Sequence, residues 1–254
     1  MSGARGSVRV ERGTKRVRAY LAGEVVADTL CPWLVWEVPY YPAYYFPLSD
    51  VRAELIDEGQ AASHSPSRGD SAVRTVVVGA GRAPGAAQVY ESSALEEIRG
   101  TVRLQWDQME AWFEEDEEVY THPRNPYTRV DILASTRRVE VQVEGVTVAD
   151  STSPRMLFET GLPVRYYLPR TDVRMDLLEL TDTVTHCPYK GRAQNWGVRI
   201  GETVHADLAW GYPAPLAESQ KIAGMVAFYN EQLDILLDGV MQERPRTKFS
   251  RSGA

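Results

Sequence analysis

RVRAYLAGEVVAD at residues 16–28 returns as RVEVQVEGVTVAD at 138–150, and YYFPLSDVR at 44–52 returns as YYLPRTDVR at 166–174. The offset is 122 residues in both cases, and from Arg16–Leu55 to Arg138–Leu177 the register needs no gap. Gly23 falls on Gly145, Glu37 on Glu159 and Asp50 on Asp172. A repeat of this length is a whole domain rather than a solenoid unit, so the chain reads as one fold written twice. The same offset sets HCPYKG at 186–191 against HSPSRG at 64–69, so the second copy carries Cys187 and Tyr189 where the first has Ser65 and Ser67.

Each copy opens on a strand pattern, Val17 to Leu21 and Val139 to Val143, followed by Val25 to Ala27 or Val146 to Ala149. Two short β-rich runs split by two residues, Gly23 and Glu24 or Gly145 and Val146, predict a hairpin. The aromatic stretches at 44–46 and 166–168 predict a further strand closed by proline, because such side chains suit a pleated surface. Val198 to Ile200 and Thr203 to His205 predict another hairpin around Gly201, and only Ala217 to Ile222 reads as a short helix. The expected fold is mostly β, two tandem domains over 15–121 and 137–239. His122 to Pro126 is the expected linker, and residues 1–14 and 243–254 read as flexible termini. In the first copy the register is expected to lapse over Gly79 to Ala87, where nothing matches Trp210, and to return at Ile98 against Ile222.

Two domains of roughly 100 residues fit the 254-residue length. A formal charge of -7 argues against nucleic acid or an anionic membrane as partner, since both require clustered Lys and Arg. No apolar run approaches the roughly 20 residues of a membrane helix, so a cytoplasmic protein is expected. Two cysteines, Cys31 and Cys187, are too few for a disulfide framework or a four-thiolate zinc site.

The stretches Tyr166 to Arg174, Thr185 to Gly191, Trp210 to Pro215 and Ala227 to Tyr229 together resemble the domain of unknown function 427 family. The resemblance covers most of 138–237 and, in a degenerate form, the first copy up to about Asp57. It implies a β-tent, two small antiparallel sheets leaning together, similar to methionine sulfoxide reductase type B and the thalidomide-binding domain of cereblon. Those relatives hold zinc by paired Cys-x-x-Cys, which this chain lacks, so neither metal nor cofactor is expected. A nucleotidyl-transfer label goes with the family, but no phosphate-cradling loop before a helix supports it here.

Cys187, His186 and Lys190 offer a nucleophile, a base and a cation that activates a thiol. Against that, neighbouring residues on a strand point to opposite faces. Trp196, Trp210 and Tyr212, with Tyr189 and Lys190, have the composition of an apolar pocket with few polar anchors, and Glu159 and Tyr166 complete the candidate ligand-binding set. Their partial loss in the first copy places that pocket in the second copy alone, with His186 or Cys187 at its wall. Asp172, Arg174 and Glu159 persist in both copies, which favours a structural role, an ion pair at the strand exit. The leading expectation is a small-ligand-binding module, with a thiol enzyme using Cys187 as the alternative. Pairing of the two copies about a pseudo-two-fold axis is also expected.

Overall fold

The computed structural model describes residues 8–250. The chain divides into two compact units, residues 1–125 and 126–254, at the breaker-rich segment around Pro126. Within each unit the strands form one large and one small antiparallel sheet.

In the first unit the large sheet runs Val10–Arg12, Trp33–Val35, Ala43–Pro47, Thr101–Leu104, Gly81–Tyr90, Gly69–Val78 and Glu54–Ile56, with Ser63–Ser65 beside Gly69–Val78. In the second it runs Val130–Ala134, Arg155–Glu159, Arg165–Leu168, Val226–Phe228, Thr203–Gly211, Gly191–Ile200 and Leu178–Cys187. The small sheets are Glu117–Glu118, Ala111–Glu114, Val17–Leu21, Glu24–Thr29 and, in matching order, Val240–Met241, Asp234–Leu237, Val139–Val143, Val146–Ser151. Strand for strand the two orders are the same. The chain is a duplicated, mostly β protein, as the repeat requires.

The first hairpin of each copy shows how local sequence sets the register. Its turn is Ala22-Gly23 or Glu144-Gly145, one residue earlier than expected, with φ of 52° and 76° in one and 50° and 77° in the other. Two successive positive φ values make a type I′ turn, whose twist matches that of the strands it joins. Both hairpins also slip register at the same place, after Ala19 and after Val141.

In each unit the inner faces of both sheets enclose the main core. In the second it comprises Val139, Val141, Val148, Tyr166, Leu168, Trp196, Val198, Phe228 and Ile235 among others, all buried. A second apolar cluster occupies the other face of the large sheet: Leu157, Tyr167, Ala193, Trp210, Tyr212 and Ile222. The first unit repeats it with Val35, Tyr45, Tyr90 and Ile98.

Several boundaries differ from those expected. Val10–Arg12 pairs with Trp33–Val35 and Val130–Ala134 pairs with Arg155–Glu159, so each copy begins earlier than residue 15 or 137. Their Arg and Asp content hides an alternation that buries Ile132. The tail is anchored as well. Arg244 Nη2 donates to Asp234 at 2.6 Å, Thr247 Oγ1 donates to Glu231 at 2.6 Å, and the Phe249 ring lies 5.8 Å from that of Tyr229. Residues 1–7 and 251–254 of the expected flexible termini lie outside the described residues. The first copy does not lose register over Gly79 to Ala87: Gly81–Tyr90 aligns with Thr203–Gly211, and Gln88 stands where Trp210 stands.

Among the described residues no helix is long and apolar enough to cross a membrane. The segment expected as a short helix, Ala217–Ile222, is a 3-10 helix whose Ile222 is buried.

Candidate functional site

The sheet register sorts the candidate residues before any side-chain distance is needed. Residues directly opposite on antiparallel strands share a face, and successive residues on one strand alternate. Trp210 pairs with Asn195 and Ala227, whereas Trp196 pairs with Ala209. Trp196 and Trp210 therefore lie on opposite faces. Trp196 and Tyr166 belong to the main core, and Trp210 and Tyr212 to the second cluster. The single pocket expected between the two tryptophans is not formed, and both rings are buried at 6% and 7% exposure.

The cross-strand row Tyr167, Ala227, Trp210, Asn195 explains why tryptophan is missing from the first copy. Its counterpart is Tyr45, Arg103, Gln88, Val73. Where Trp210 faces the small Ala227, Gln88 faces the large Arg103. Volume moved across one strand pair, so the loss of the ring is a packing exchange that keeps the layer filled.

What both copies retain on this face is a carboxylate, a cation and two tyrosines. In the second copy Lys190 Nζ donates to Glu159 Oε2 at 2.5 Å, with side-chain exposures of 8% and 9%. Cys187 also acts electrostatically on the Lys190 ammonium. Burial opposes its charge, but Cys187 and Glu159 outweigh that and hold its pKa above the ordinary lysine range. Tyr167, fully enclosed, accepts a hydrogen bond from Trp210 Nε1 at 3.1 Å, and burial drives its phenol far upward. Burial, then the neighbouring Tyr167 and Cys187, does the same to Tyr212. In the first copy Tyr45 donates to Glu37 at 2.8 Å, Arg103 Nε donates to the same carboxylate at 2.8 Å, and Arg68 lies 3.7 Å away.

The turn between the two longest strands positions Lys190. Its backbone N–H donates to the Cys187 carbonyl at 3.3 Å, and its own carbonyl accepts from Leu216 at 3.1 Å. Gly191, at φ 95°, sits close under Leu216 and the Ala214 carbonyl. Ser219 Oγ donates to the Tyr189 carbonyl at 3.0 Å. The segment after Tyr212 thus covers the turn that carries the lysine. Cys187 is half-buried in the cluster, while His186, the preceding residue on the same strand, is exposed. The strand alternation that argued against a His186–Cys187 pair holds here.

A cleft of about 450 Å³ opens beside this cluster, lined by Leu180 to Val184, Arg192 to Gln194, Pro213 and Ala214. Ala193 belongs both to its wall and to the cluster. Thr185 pairs with Ala193 and Cys187 with Gly191, so Cys187 and Ala193 are diagonal neighbours on one face. Tyr189, Lys190, Trp196, Trp210 and Tyr212 do not line it. The strand wall is bulged between Leu180 and Val184, and Asp207 gathers the hydroxyls of Thr181 and Thr183 at 2.6 and 2.9 Å. Among the described residues no three His, Cys, Asp or Glu are grouped to hold a metal ion.

The retained Asp50 and Asp172 act through hydroxyls rather than arginines. Asp50 accepts from Thr29 and Asp172 from Ser151, each at 2.6 Å. Those hydroxyls in turn accept the backbone N–H of Cys31 and Ser153, each at 3.1 Å. Arg52 turns to Asp28, and Arg174 to Asp176. The expected ion pair at the strand exit is thus a hydrogen-bonded turn.

Two units with one strand order, each carrying a carboxylate–cation–tyrosine group on the same face, define a tandem protein of one domain family. The chain belongs to the domain of unknown function 427 (DUF427) family, matched over residues 9–115 and again over 131–239. Comparison with curated proteins gave no match.

Proposed function

We propose that the protein is a small-ligand-binding module and that its second copy receives the ligand in the cleft walled by Ala193. One observation carries the reading: through Ala193 the cleft adjoins a part-exposed thiol, followed three residues on by an enclosed lysine paired with an enclosed carboxylate. A concave recess with a few fixed polar groups is the usual form of a small-molecule site, and this one mixes Leu180, Val184 and Ala193 with Thr181, Asp182 and Gln194. Asp182 and exposed Arg192 supply charge at the wall, with Cys187 a polarisable group behind Ala193.

The test is a ligand screen by thermal shift on the full chain, followed by competition with iodoacetamide. A bound ligand raises the melting temperature with concentration. At this site it also slows alkylation of Cys187 and leaves Cys31 unchanged, and Arg192→Glu weakens it. Hits that protect neither thiol and ignore Arg192→Glu place binding elsewhere and refute the reading.

The turn that ties the Lys190 backbone N–H to the Cys187 carbonyl at 3.3 Å, with the ammonium acting on the thiol, favours one second reading, a thiol-dependent reaction at Cys187. On that reading Cys187 reacts with iodoacetamide faster than Cys31 at neutral pH, and Lys190→Met removes the difference. Equal rates in the parent protein refute it.

A further inference from the structure

Sequence placed no site in the first copy, yet five aromatic rings line an open cleft there: Tyr41, Tyr44, Trp106, Trp112 and His122. Its volume is about 240 Å³. These rings are held by contacts of their own. The indoles of Trp106 and Trp112 stack at 4.6 Å and 3°, and Trp112 Nε1 donates to the Trp106 carbonyl at 3.1 Å. Tyr41 stacks on His122 at 3.9 Å, and His122 Nδ1 donates to the Pro123 carbonyl at 2.8 Å. Tyr44 donates to Glu114, and burial drives its phenol far above the ordinary range. Trp112 and Tyr44 are enclosed, while Trp106 is half-exposed to the cleft.

Of the charged side chains that line the cleft, Glu37 and Asp107 are acidic and Arg103 is basic, and Arg68 lies 3.7 Å from Glu37. Arg103, on its wall, directs Nε to Glu37 at 2.8 Å and Nη1 to Gln105 at 2.5 Å, so its charge is already matched. Asp107 also lines the cleft, next in sequence to Trp106, and is exposed. Among the described residues it has neither an ion-pair nor a hydrogen-bond partner. An anion would meet an uncompensated carboxylate here. A cation would meet that carboxylate together with an indole, the aromatic ring that attracts cations best.

We propose that the first copy binds a small organic cation, an alkylated ammonium on a short stem, between the Trp106 ring and Asp107. The volume lies below the range usual for drug-sized ligands, which fits a compact head group. The arrangement is confined to this copy. Trp112 pairs with Ala19, and at the equivalent position Ile235 pairs with Val141. Two residues beyond Leu104 stands Trp106, and two beyond the equivalent Phe228 stands Asn230. The two copies have thus diverged on different faces of their common fold.

The test titrates the full chain, labelled with 5-fluorotryptophan, with choline and with 3,3-dimethylbutan-1-ol, its uncharged isostere. Choline is expected to shift the Trp106 resonance saturably, and the isostere to bind about tenfold more weakly or worse, the upper end of an exposed cation–π contact plus one charge. Asp107→Asn is expected to weaken choline about threefold, and Trp106→Leu to abolish the choline-dependent shift of the Trp112 resonance, which reports from the stacked neighbour. Asp107 is exposed, so its variant keeps the test valid if Trp106→Leu unfolds. Cys187→Ser and Arg192→Glu leave choline binding unchanged. Equal affinity for the isostere, indifference to Asp107→Asn, no saturable shift, or sensitivity to Arg192→Glu would overturn the proposal.

Discussion

Replacing Lys190 by methionine removes the ammonium but keeps most of the side-chain volume, and leaves the Glu159 carboxylate stranded at 9% exposure. Breaking an enclosed pair from one side typically costs about 3–5 kcal/mol, because the remaining charge keeps its desolvation penalty and loses its partner. At a urea dependence of about 2 kcal/mol per molar, a loss of about 3 kcal/mol moves the midpoint down by about 1.5 M. Replacing both, Lys190→Met with Glu159→Leu, removes penalty and attraction together, so the double variant recovers most of the loss, with a coupling of about 2–3 kcal/mol. The two units need not unfold together, so the readout must belong to the second. Urea titrations followed by the fluorine resonances of 5-fluorotryptophan at Trp196 and Trp210 supply it. The pH dependence has a defined sign. Lys190 titrates higher in the folded protein than in the unfolded chain, so its contribution is complete below about pH 10.4 and is lost only as pH rises through the folded value. The deficit of Lys190→Met is therefore constant from neutrality to about pH 9. A single-variant loss below about 1 kcal/mol, or two single losses that simply add, would refute the account of an enclosed, mutually dependent pair.

The Arg165–Glu231 pair, with side-chain exposures of 7% and 0%, makes a contrasting pH prediction. Arg165 and Thr247 hold Glu231 below the ordinary range against burial, so its stabilisation is present above the unfolded carboxylate value and is lost as pH falls through the folded one. Glu231→Gln should flatten the acid limb of the second unit's stability curve, measured by urea midpoints between about pH 3 and 6; an unchanged limb would count against it. Gly211→Ala should destabilise the second unit by about 2 kcal/mol, because an added Cβ would meet the Met225 carbonyl oxygen at 2.3 Å. An unaltered urea midpoint would mean that the strand yields there. Trp210→Gln should cost about 3 kcal/mol through the cavity it opens, and adding Ala227→Arg should restore part of it if the volume exchange between the copies is real. A double variant no better than the single one removes that explanation. Cys187→Ser should change stability by less than about 1 kcal/mol if Lys190 keeps the hydroxyl satisfied, and by about 1–3 if the hydroxyl goes unpaired; equilibrium unfolding separates the two.

The repeat was legible because strands that share a register must share their turn and closing residues. Gly23 and Gly145, with positive φ, and the prolines after the aromatic strands carried that information. The placement of the tryptophans was not legible. Trp196 and Trp210 sit on neighbouring strands, and which face each takes depends on a hairpin register and on the slip between Trp196 and Val198. Moving that register by one residue exchanges the faces, and no local pattern fixes it. Gln88 was hidden as the partner of Trp210 because volume was conserved across the strand pair, not at the position itself. The His186–Cys187 separation followed from strand alternation alone. The first copy's cleft is not legible in the sequence because Trp106 and Trp112 fall outside the repeated motifs; their spacing to Tyr41 and Tyr44 exists only after Thr101–Leu104 pairs with Ala43–Pro47.

The connection over the charged turn differs between the copies where the strands do not. From Tyr212 to Ile222 it is two residues longer than from Tyr90 to Ile98, yet Tyr90 and Tyr212, and Ile98 and Ile222, remain equivalent and buried. Lengthening a connection of this size costs only a few tenths of a kcal/mol in closure entropy. The scaffold can thus trade the roof over its carboxylate and cation without disturbing the floor, and the history of the two halves becomes one of interchangeable covers on a fixed foundation.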